Sequence, residues 1–292
     1  MNRILPAHIF PVFALGFCLL AGGASAQTLS PQQIKDIVAS PDRSAADRTN
    51  DLRRKPEQML EFIAVRPGST ALDLSAAGGY TTELLARAIG PSGKVFGQSR
   101  PRNPNQPPPA PAAPEGNSNP PTTTMPAAAP PPAASAAPPA PPRPSPVALA
   151  DRDKALQGKA APIVAIVQPF EEPVPADLTD AKLDLVTLMF NYHDLGFLGV
   201  DRAKMNAAVF RALKSGGTYV IADHAGRPST GISESGTLHR IEKAFLRQEV
   251  EAAGFKFAAE GTFLANPNDP KDKNTPDPPQ PKDEFVLKFV KP

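Results

Sequence analysis

The fold is decided by the stretch Val65-Arg66-Pro67-Gly68-Ser69-Thr70-Ala71-Leu72-Asp73-Leu74-Ser75-Ala76-Ala77-Gly78-Gly79-Tyr80-Thr81-Thr82-Glu83-Leu84-Leu85-Ala86. A turn at Arg66-Pro67-Gly68 leads into a short apolar strand over residues 70–74. A loop of small residues follows, and then a helix over residues 81–89. This order places the amide groups of a helix N-terminus at the end of a strand, where a polar ligand can bind.

Predicted strands and helices alternate along the rest of the chain. The further strands are predicted over residues 94–97, 163–167, 183–190 and 218–223, and the further helices over residues 148–156, 201–213 and 237–253. Residues 30–64 are predicted to be helical, and residues 255–263 and 284–290 to form a closing hairpin-type pair of strands. The alternation predicts an α/β fold, a Rossmann-like doubly wound sheet.

The N-terminus has the parts of a secretory signal peptide. A basic start, Met1-Asn2-Arg3, precedes an apolar run and the small-residue site Ala24-Ser25-Ala26. We therefore expect residues 1–26 to be a cleavable signal and the mature chain to lie in the periplasm; a retained membrane anchor is the alternative. Cys18 is the only cysteine and would leave with the signal, which excludes disulfides and thiolate chemistry from the mature chain.

Residues 101–146 differ in kind from the rest of the chain. They are rich in proline and alanine, almost free of charge and without apolar periodicity, so they cannot bury a core and are predicted to be a disordered insertion. The insertion divides a single domain into residues 27–100, with the N-terminal helices and the first half, and residues 147–292, with the second half. It is either a plain spacer or a proline-rich ligand for a partner in the cell envelope.

The overall charge makes nucleic acid an improbable partner. The chain has 31 Lys and Arg against 29 Asp and Glu, a net charge of +2, and no long basic run. We therefore expect the substrate to be a small molecule. Because the sequence shows no C-terminal anchor, we also expect no stable membrane insertion after the signal is removed.

Two polar motifs directly follow predicted strands. Asn191-Tyr192-His193-Asp194 follows the strand over residues 183–190, and Asp223-His224 follows the strand over residues 218–223. Open α/β sheets place their ligands at these strand ends, so two histidines and two aspartates are expected to converge on one cleft. The same side chains are acceptable zinc or manganese ligands. No short-range ligand spacing supports a metal site, and none is predicted.

The order of elements from Val65 onward resembles that of the class I S-adenosylmethionine-dependent methyltransferases. The resemblance extends to Leu213-Lys214-Ser215-Gly216-Gly217-Thr218-Tyr219-Val220. More closely, the chain is similar to a group of exported, predicted methyltransferases in the stretches Asn191-Tyr192-His193-Asp194, Asp223-His224-Ala225-Gly226-Arg227-Pro228, Thr237-Leu238-His239-Arg240-Ile241 and Phe285-Val286-Leu287-Lys288-Phe289. The resemblance implies a class I methyltransferase fold and S-adenosylmethionine as cofactor.

The resemblance also implies which residues would hold this cofactor. Asp73 occupies the acidic position of the first motif, and Ser75, Ala77 and Gly79 stand where the family has three glycines. Glycine at such positions permits close approach of the ligand and unusual torsions. The full set of implied cofactor-binding residues is Asp73, Ser75, Ala77, Gly78, Gly79, Tyr80, Gln98, Phe170 and Asn191. For Phe170, stacking on the adenine ring and ordinary core packing are both open.

Methyl transfer to a proton-bearing acceptor needs alignment and a base. His193 is the first candidate for the base, oriented by Asp194 or Asp223, with His224 and His239 as second choices. Tyr192 is expected to hydrogen-bond the substrate or donate to a carboxylate. The alternative is that these side chains only cap strand ends and fix loops.

Three functions from different classes follow. The first is an S-adenosylmethionine-dependent methyltransferase acting on a small-molecule or exported substrate. The second is a non-catalytic protein of the cell envelope that keeps the fold and a cleft for a small ligand. The third is an interaction protein that works through residues 101–146.

Overall fold

The computed structural model describes residues 27–102, 145–276 and 280–292. The predicted signal peptide, residues 1–26, and residues 103–144 of the predicted insertion lie outside these ranges. Within them the chain forms a seven-stranded sheet with helices on both faces, as the sequence predicts. No helix in the described ranges is both long and apolar enough to cross a membrane.

The sheet is mixed, and its strand order reverses near the middle. Its strands are β1 (Thr70–Leu74), β2 (Lys94–Ser99), β3 (Ile163–Val167), β4 (Leu183–Met189), β5 (Leu213–His224), β6 (Lys256–Gly261) and β7 (Glu284–Val290). The order across the sheet is β3-β2-β1-β4-β5-β7-β6. Strands β1 to β5 are parallel, and β7 runs antiparallel to both β5 and β6. Because the order reverses between β1 and β4, a crevice opens at their carboxyl ends.

The helices divide between the two faces of the sheet. They are α1 (Pro31–Ala39), α2 (Ala45–Arg54), α3 (Pro56–Ile63), α4 (Tyr80–Ile89), α5 (Ser145–Leu156), α6 (Tyr192–Phe197), α7 (Arg202–Ala212) and α8 (Lys243–Ala252), with a short 3-10 helix at Ala176–Leu178. Successive side chains of a strand point to opposite faces. Ala71 accordingly packs with α1, α3, α4 and α5, and Leu72 packs with α6, α7 and α8.

The N-terminal helical region consists of three separate helices. Ser30 and Gln33 form a reciprocal capping box that starts α1, with a proline in its first turn as predicted. Lys55 adopts φ +46°, which ends α2, and Pro56 then begins α3. A left-handed residue followed by proline cannot continue a helix, so residues 30–64 fold back on themselves instead of forming one rod.

The predicted helix over residues 237–253 is wrong in its first part. Helix α8 begins only at Lys243, and the chain before it makes turns and a bridge between Ala225 and Ile241. His239 therefore lies in a loop that returns to the end of β5, not on an amphipathic helix. The predicted closing pair of strands is confirmed as β6 and β7.

Candidate functional site

The loop between β1 and α4 has the backbone of a glycine-rich loop. Ser75, Ala77 and Gly79 have φ angles of +56°, +47° and +80°. These are the three positions that the sequence analysis matched to the glycines of the methyltransferase motif. An L-residue in this left-handed region costs about 1–2 kcal/mol, so serine and alanine are held there by the surrounding structure.

Gln98 connects this loop to the neighbouring strand ends. Its side-chain oxygen accepts the amide of Ser75 at 3.0 Å, and its side-chain nitrogen donates to the carbonyl of Gln168 at 2.6 Å. The side chain is fully buried. Gln98 was predicted to hydrogen-bond the cofactor, but both ends of its amide bind the protein, where they fix the carboxyl ends of β1, β2 and β3.

Asp73 links three elements beneath the loop. Its two carboxylate oxygens accept the hydroxyls of Thr82 on α4 at 2.6 Å and Thr187 on β4 at 2.7 Å. Burial raises the pKa of Asp73 to about 6, although the hydrogen bonds from both threonines oppose this. Asp73 therefore fixes the start of α4 relative to β1 and β4.

Gly78 and Gly79 face different surroundings. A Cβ atom on Gly79 would lie 2.8 Å from side-chain carbons of Leu149 and Arg152, both on α5. A Cβ atom on Gly78 would meet nothing within 4 Å. Gly79 is thus required by the packing of α5, whereas Gly78 borders open space. A left-handed loop with open space beside it fits a bound cofactor.

Arg152 of α5 holds the loop and the N-terminal helices together. Its Nε donates to the carbonyl of Gly78 at 2.6 Å, and its guanidinium pairs with Asp47 on α2 at 2.7 Å and with Glu83 on α4. Asp47 and Glu83 are both buried. No sequence motif predicts this network, because its members are far apart along the chain.

Tyr80, predicted as a cofactor contact, is held from the same side. Its hydroxyl donates to Asp51 at 2.7 Å, and Asp51 also pairs with Arg43 at 2.7 Å. Its ring borders a small apolar pocket between α3, α4 and the end of β4. This pocket is lined by Arg54, Pro56, Met59, Leu60, Ile63, Tyr80, Thr81, Leu84, Leu85, Met189 and Phe190.

His193 is the centre of the polar cluster at the ends of β4 and β5. Its Nδ1 lies 2.6 Å from Oδ1 of Asp223, and its main-chain amide donates to Oδ2 of the same residue at 2.8 Å. Oδ1 also accepts the amide of His224 at 2.8 Å. His193, Asp223 and His224 are all buried. The structure thus brings the ends of β4 and β5 together, as predicted.

Asp194 joins His193 to His239 from the returning loop. Its Oδ1 lies 3.2 Å from Nε2 of His193 and 3.0 Å from Nδ1 of His239. Its Oδ2 accepts the side-chain amide of Asn191 at 2.9 Å. The three histidines of the described ranges therefore lie together, with the His193 ring 5.3 Å from that of His224 and 5.6 Å from that of His239.

The two carboxylates determine the protonation of His193. Burial lowers the pKa of its imidazole, but the charge of Asp223 and the hydrogen bond of Asp194 outweigh burial and raise this pKa to about 10. Burial raises the pKa of Asp194, but its contacts with His193 and His239 have the larger effect and lower it. With nothing else bound, His193 keeps its proton at neutral pH. A protonated ring orients and donates but does not accept a proton.

Two predicted site residues lie on the opposite face of the sheet. Tyr192 is fully buried, donates to Glu249 at 3.0 Å and accepts from Asn206 at 2.9 Å. Of its two predicted roles, contact with the substrate or donation to a carboxylate, the structure shows the second, because its hydroxyl is directed between α7 and α8 and donates to Glu249. Phe170 packs in the same core as Leu72, so of its two open roles the structure favours core packing.

Phe190, which the sequence analysis did not select, stands between the loop and the histidines. It adopts φ +59°, an unusual conformation for a bulky residue. The guanidinium carbon of Arg54 lies 3.7 Å from its ring centroid, and the His224 ring lies 5.6 Å away. Arg53, beside Arg54, pairs at 3.0 Å with Glu284, which lies 3.0 Å from Nδ1 of His224. Helix α2 thus reaches over the carboxyl ends of β4 and β5.

The sequence matches no model of a known protein family and no curated protein. The fold of the chain, in contrast, resembles those of solved structures. A SAM-dependent methyltransferase from Aquifex aeolicus is 15% identical, with a TM-score of 0.51 over 90% of this chain and 100% of that one. A TehB-like SAM-dependent methyltransferase from Corynebacterium glutamicum is 14% identical, with a TM-score of 0.44 over 85% and 99%. Fibrillarin from Aeropyrum pernix, in complex with natively bound S-adenosyl-L-methionine, is 14% identical, with a TM-score of 0.42 over 77% and 68%. At 15% identity, the likeness to the Aquifex aeolicus structure shows the fold alone, which is the α/β Rossmann-like fold of class I methyltransferases.

Proposed function

We propose that this chain is an S-adenosylmethionine-dependent methyltransferase acting on a small-molecule or exported substrate. The observation that carries the proposal is the left-handed backbone at Ser75, Ala77 and Gly79, in the loop that joins β1 to α4. The strand order and the likeness to the Aquifex aeolicus methyltransferase support it. The polar cluster around His193 lies at the end of β4, the strand next to β1.

Bound S-adenosylmethionine would supply an electrophilic methyl group on its sulfonium. Its own carboxylate and ammonium need polar partners, and the amides in the first turn of α4 suit a carboxylate. The loop over residues 75–79, Tyr80 and Asn191 are the parts of the chain that would hold it. The open space beside Gly78 is where the backbone leaves room for a ligand.

The histidine cluster would position the methyl acceptor. Asp194 and His239 are the partly exposed members, with 29% and 42% of their side chains accessible, whereas His193 is 4% accessible. An acceptor therefore meets Asp194 and His239 first. Asp223 fixes His193, and His193 in turn contacts Asp194, so the cluster keeps one arrangement.

A non-catalytic ligand-binding protein is the second candidate, and Gln98 favours it. An acceptor for ribose hydroxyls is expected at the end of β2, but the amide of Gln98 binds Ser75 and Gln168. A protein that lost cofactor binding would keep such an internal contact.

Calorimetric titration with S-adenosylmethionine and S-adenosylhomocysteine tests the proposal. Gly78→Leu places a side chain in the open space beside the loop and is expected to weaken binding at least about tenfold, or about 1.4 kcal/mol. Lys256→Leu, exposed on the edge strand β6, is the control and is expected to bind as the unaltered chain does. Absence of binding by the folded chain would favour the non-catalytic candidate. Equal binding by Gly78→Leu would place the ligand elsewhere.

Location is a separate proposal that rests on residues 1–26. We propose that export and cleavage after Ala26 deliver a periplasmic chain that begins at Gln27. Intact-mass measurement of the chain recovered from the periplasmic fraction tests this. A chain recovered with residues 1–26 in the cytoplasmic or membrane fraction would contradict it.

A further inference from the structure

We propose that His193, Asp194 and His239 form a binding site for one divalent transition-metal ion, with zinc as the first candidate. The inference does not require a bound cofactor, because none of the three ligands belongs to the residues proposed to hold it; Asn191, which would hold the cofactor, only orients Asp194. One ligand atom from each of the three residues lies within 4.8 Å of the others.

The separation of these atoms is close to what a tetrahedral ion requires. Zinc binds imidazole nitrogen and carboxylate oxygen at about 2.0–2.1 Å, so that neighbouring ligands of one tetrahedron are about 3.3 Å apart. Oδ1 of Asp194 is 3.2 Å from Nε2 of His193 and 3.0 Å from Nδ1 of His239. The three atoms thus need only small movements to surround an ion.

The residues around the three ligands hold them as metal ligands are held. A ligating histidine usually donates its second nitrogen to a carboxylate, which fixes the ring and the tautomer. Nδ1 of His193 lies 2.6 Å from Asp223, so Nε2 is the atom directed at Asp194. Asn191 donates to Oδ2 of Asp194 at 2.9 Å, which leaves Oδ1 directed at both rings.

The donor set and the access indicate which kind of ion would bind. Two imidazoles and one carboxylate are the ligands of zinc and of non-haem iron in sites that keep an open position. The His239 side chain is 42% accessible, so one side of the site faces solvent. A water molecule or a substrate group would complete the coordination there.

His224 lies beside the site but outside this ligand set. Its Nδ1 lies 3.0 Å from Oε1 of Glu284, and none of its atoms belongs to the group formed by His193, Asp194 and His239. From the sequence, His224 and Asp223 are acceptable ligands together with His193 and Asp194, whereas His239 is not among the candidates. His239 reaches the cluster only because the chain after β5 turns back instead of continuing as a helix.

The test is a calorimetric titration of the purified, untagged chain with Zn²⁺, after chelator treatment and dialysis. One ion per chain is expected to bind. His239→Ala, which removes a ligand, and Asp194→Asn, which replaces a carboxylate with a neutral amide, are each expected to weaken binding at least about 100-fold, and His224→Gln is the matched control that leaves it unchanged. Asp223→Asn replaces the carboxylate that contacts Nδ1 of His193 with a neutral amide. This variant is expected to weaken binding about 10–100-fold.

Cobalt substitution gives a second measurement that does not depend on affinity. Co²⁺ in a site of low coordination number has a strong visible spectrum, which is expected in the unaltered chain and lost in His239→Ala. The proposal is overturned if the folded chain binds neither ion. Binding that survives His239→Ala and Asp194→Asn, or that is lost in His224→Gln alone, overturns this ligand set.

Discussion

Asp223 holds His193 at two points, with Oδ1 2.6 Å from the ring Nδ1 and Oδ2 accepting the main-chain amide at 2.8 Å. One carboxylate at the end of β5 thus fixes both the backbone and the ring of His193, the fourth residue after β4. The contact turns two separate strand ends into one rigid unit, and Nε2 of His193 is directed at Asp194 as a result.

Asp223→Asn is expected to lower the free energy of unfolding by about 3–5 kcal/mol, because it removes the charge from a buried pair and turns a donor toward donors. Urea unfolding, followed by the shift in midpoint, measures the change. Asp184→Asn is the matched control. Asp184 is 30% accessible and pairs with the exposed Lys214. Its other oxygen accepts the amide of Thr70, a bond that the asparagine oxygen can keep, so the substitution is expected to cost about 1 kcal/mol or less. Equal costs at the two positions would contradict the role given to Asp223.

In the loop after β1, a substitution by glycine is expected not to destabilise the fold, although such a substitution usually does. Ala77 has φ +47°, so Ala77→Gly relieves about 1–2 kcal/mol of backbone strain, against about 0.5–1 kcal/mol of lost chain entropy. We expect this variant to be as stable as the unaltered chain or more stable by up to about 1 kcal/mol. Ala76→Gly, at a position without positive φ, is expected to lose about 1 kcal/mol. Thermal unfolding of the two variants side by side decides whether the loop has the left-handed backbone.

Much of the sheet could be predicted from the sequence because each strand has its signal within its own residues. The predicted strands over 70–74 and 163–167 coincide with β1 and β3. Short apolar runs between turn residues carry that signal locally. The helix predicted over 237–253 failed in its first part because residues 237–242 are held by long-range contacts. Arg240, fully buried, donates to the carbonyl of Ala225 and pairs with Asp269.

The candidate site, like the fold, could be predicted from the sequence only in part. Residues at the carboxyl end of a strand, such as Asp223, or a few residues beyond one, such as His193, could be placed at one edge because parallel strands end together. Arg152 could not, because its partners Asp47 and Glu83 come from two other helices and only the folded chain brings them together. His239 depended on the path of the loop after β5, which no periodicity describes.

Arg152 is expected to be essential to the packing of the N-terminal helices. Arg152→Met leaves Asp47 buried without its paired cation and leaves Glu83 with Arg87 alone, and is expected to cost about 3–5 kcal/mol of unfolding free energy. Adding Asp47→Asn and Glu83→Gln removes both charges, and the triple variant is expected to recover most of that loss. Chemical unfolding of the single and triple variants measures the difference. A triple variant no more stable than Arg152→Met would mean that packing of the arginine stem, not charge, holds α2 in place.

Asp73 gives the fold a pH dependence of known sign. Its pKa is raised by burial from 3.8 to about 6, so the carboxylate binds a proton more tightly in the folded chain than in the unfolded chain. The stability that it contributes is full below about pH 3.8 and is lost as pH rises through about 6. The raised pKa corresponds to about 3 kcal/mol. Relative to Asp73→Asn, which stays neutral, the unaltered chain should therefore lose up to this amount between about pH 4 and pH 7. A difference that is constant over this range, in urea unfolding at each pH, would contradict the raised pKa.

His239 combines backbone strain with a contact in the cluster, and two substitutions separate these effects. It has φ +50°, and its Nδ1 lies 3.0 Å from Asp194. His239→Ala and His239→Gly both remove the imidazole, and neither is expected to bind Zn²⁺ tightly. Only glycine relieves the left-handed strain of about 1–2 kcal/mol, partly offset by its chain entropy, so His239→Gly is expected to be more stable than His239→Ala by about 1 kcal/mol. Thermal unfolding of both variants without metal measures this difference. If the alanine variant is equally stable, His239 is not held in a strained conformation. In that case His239 contacts Asp194 without backbone strain that other contacts must offset.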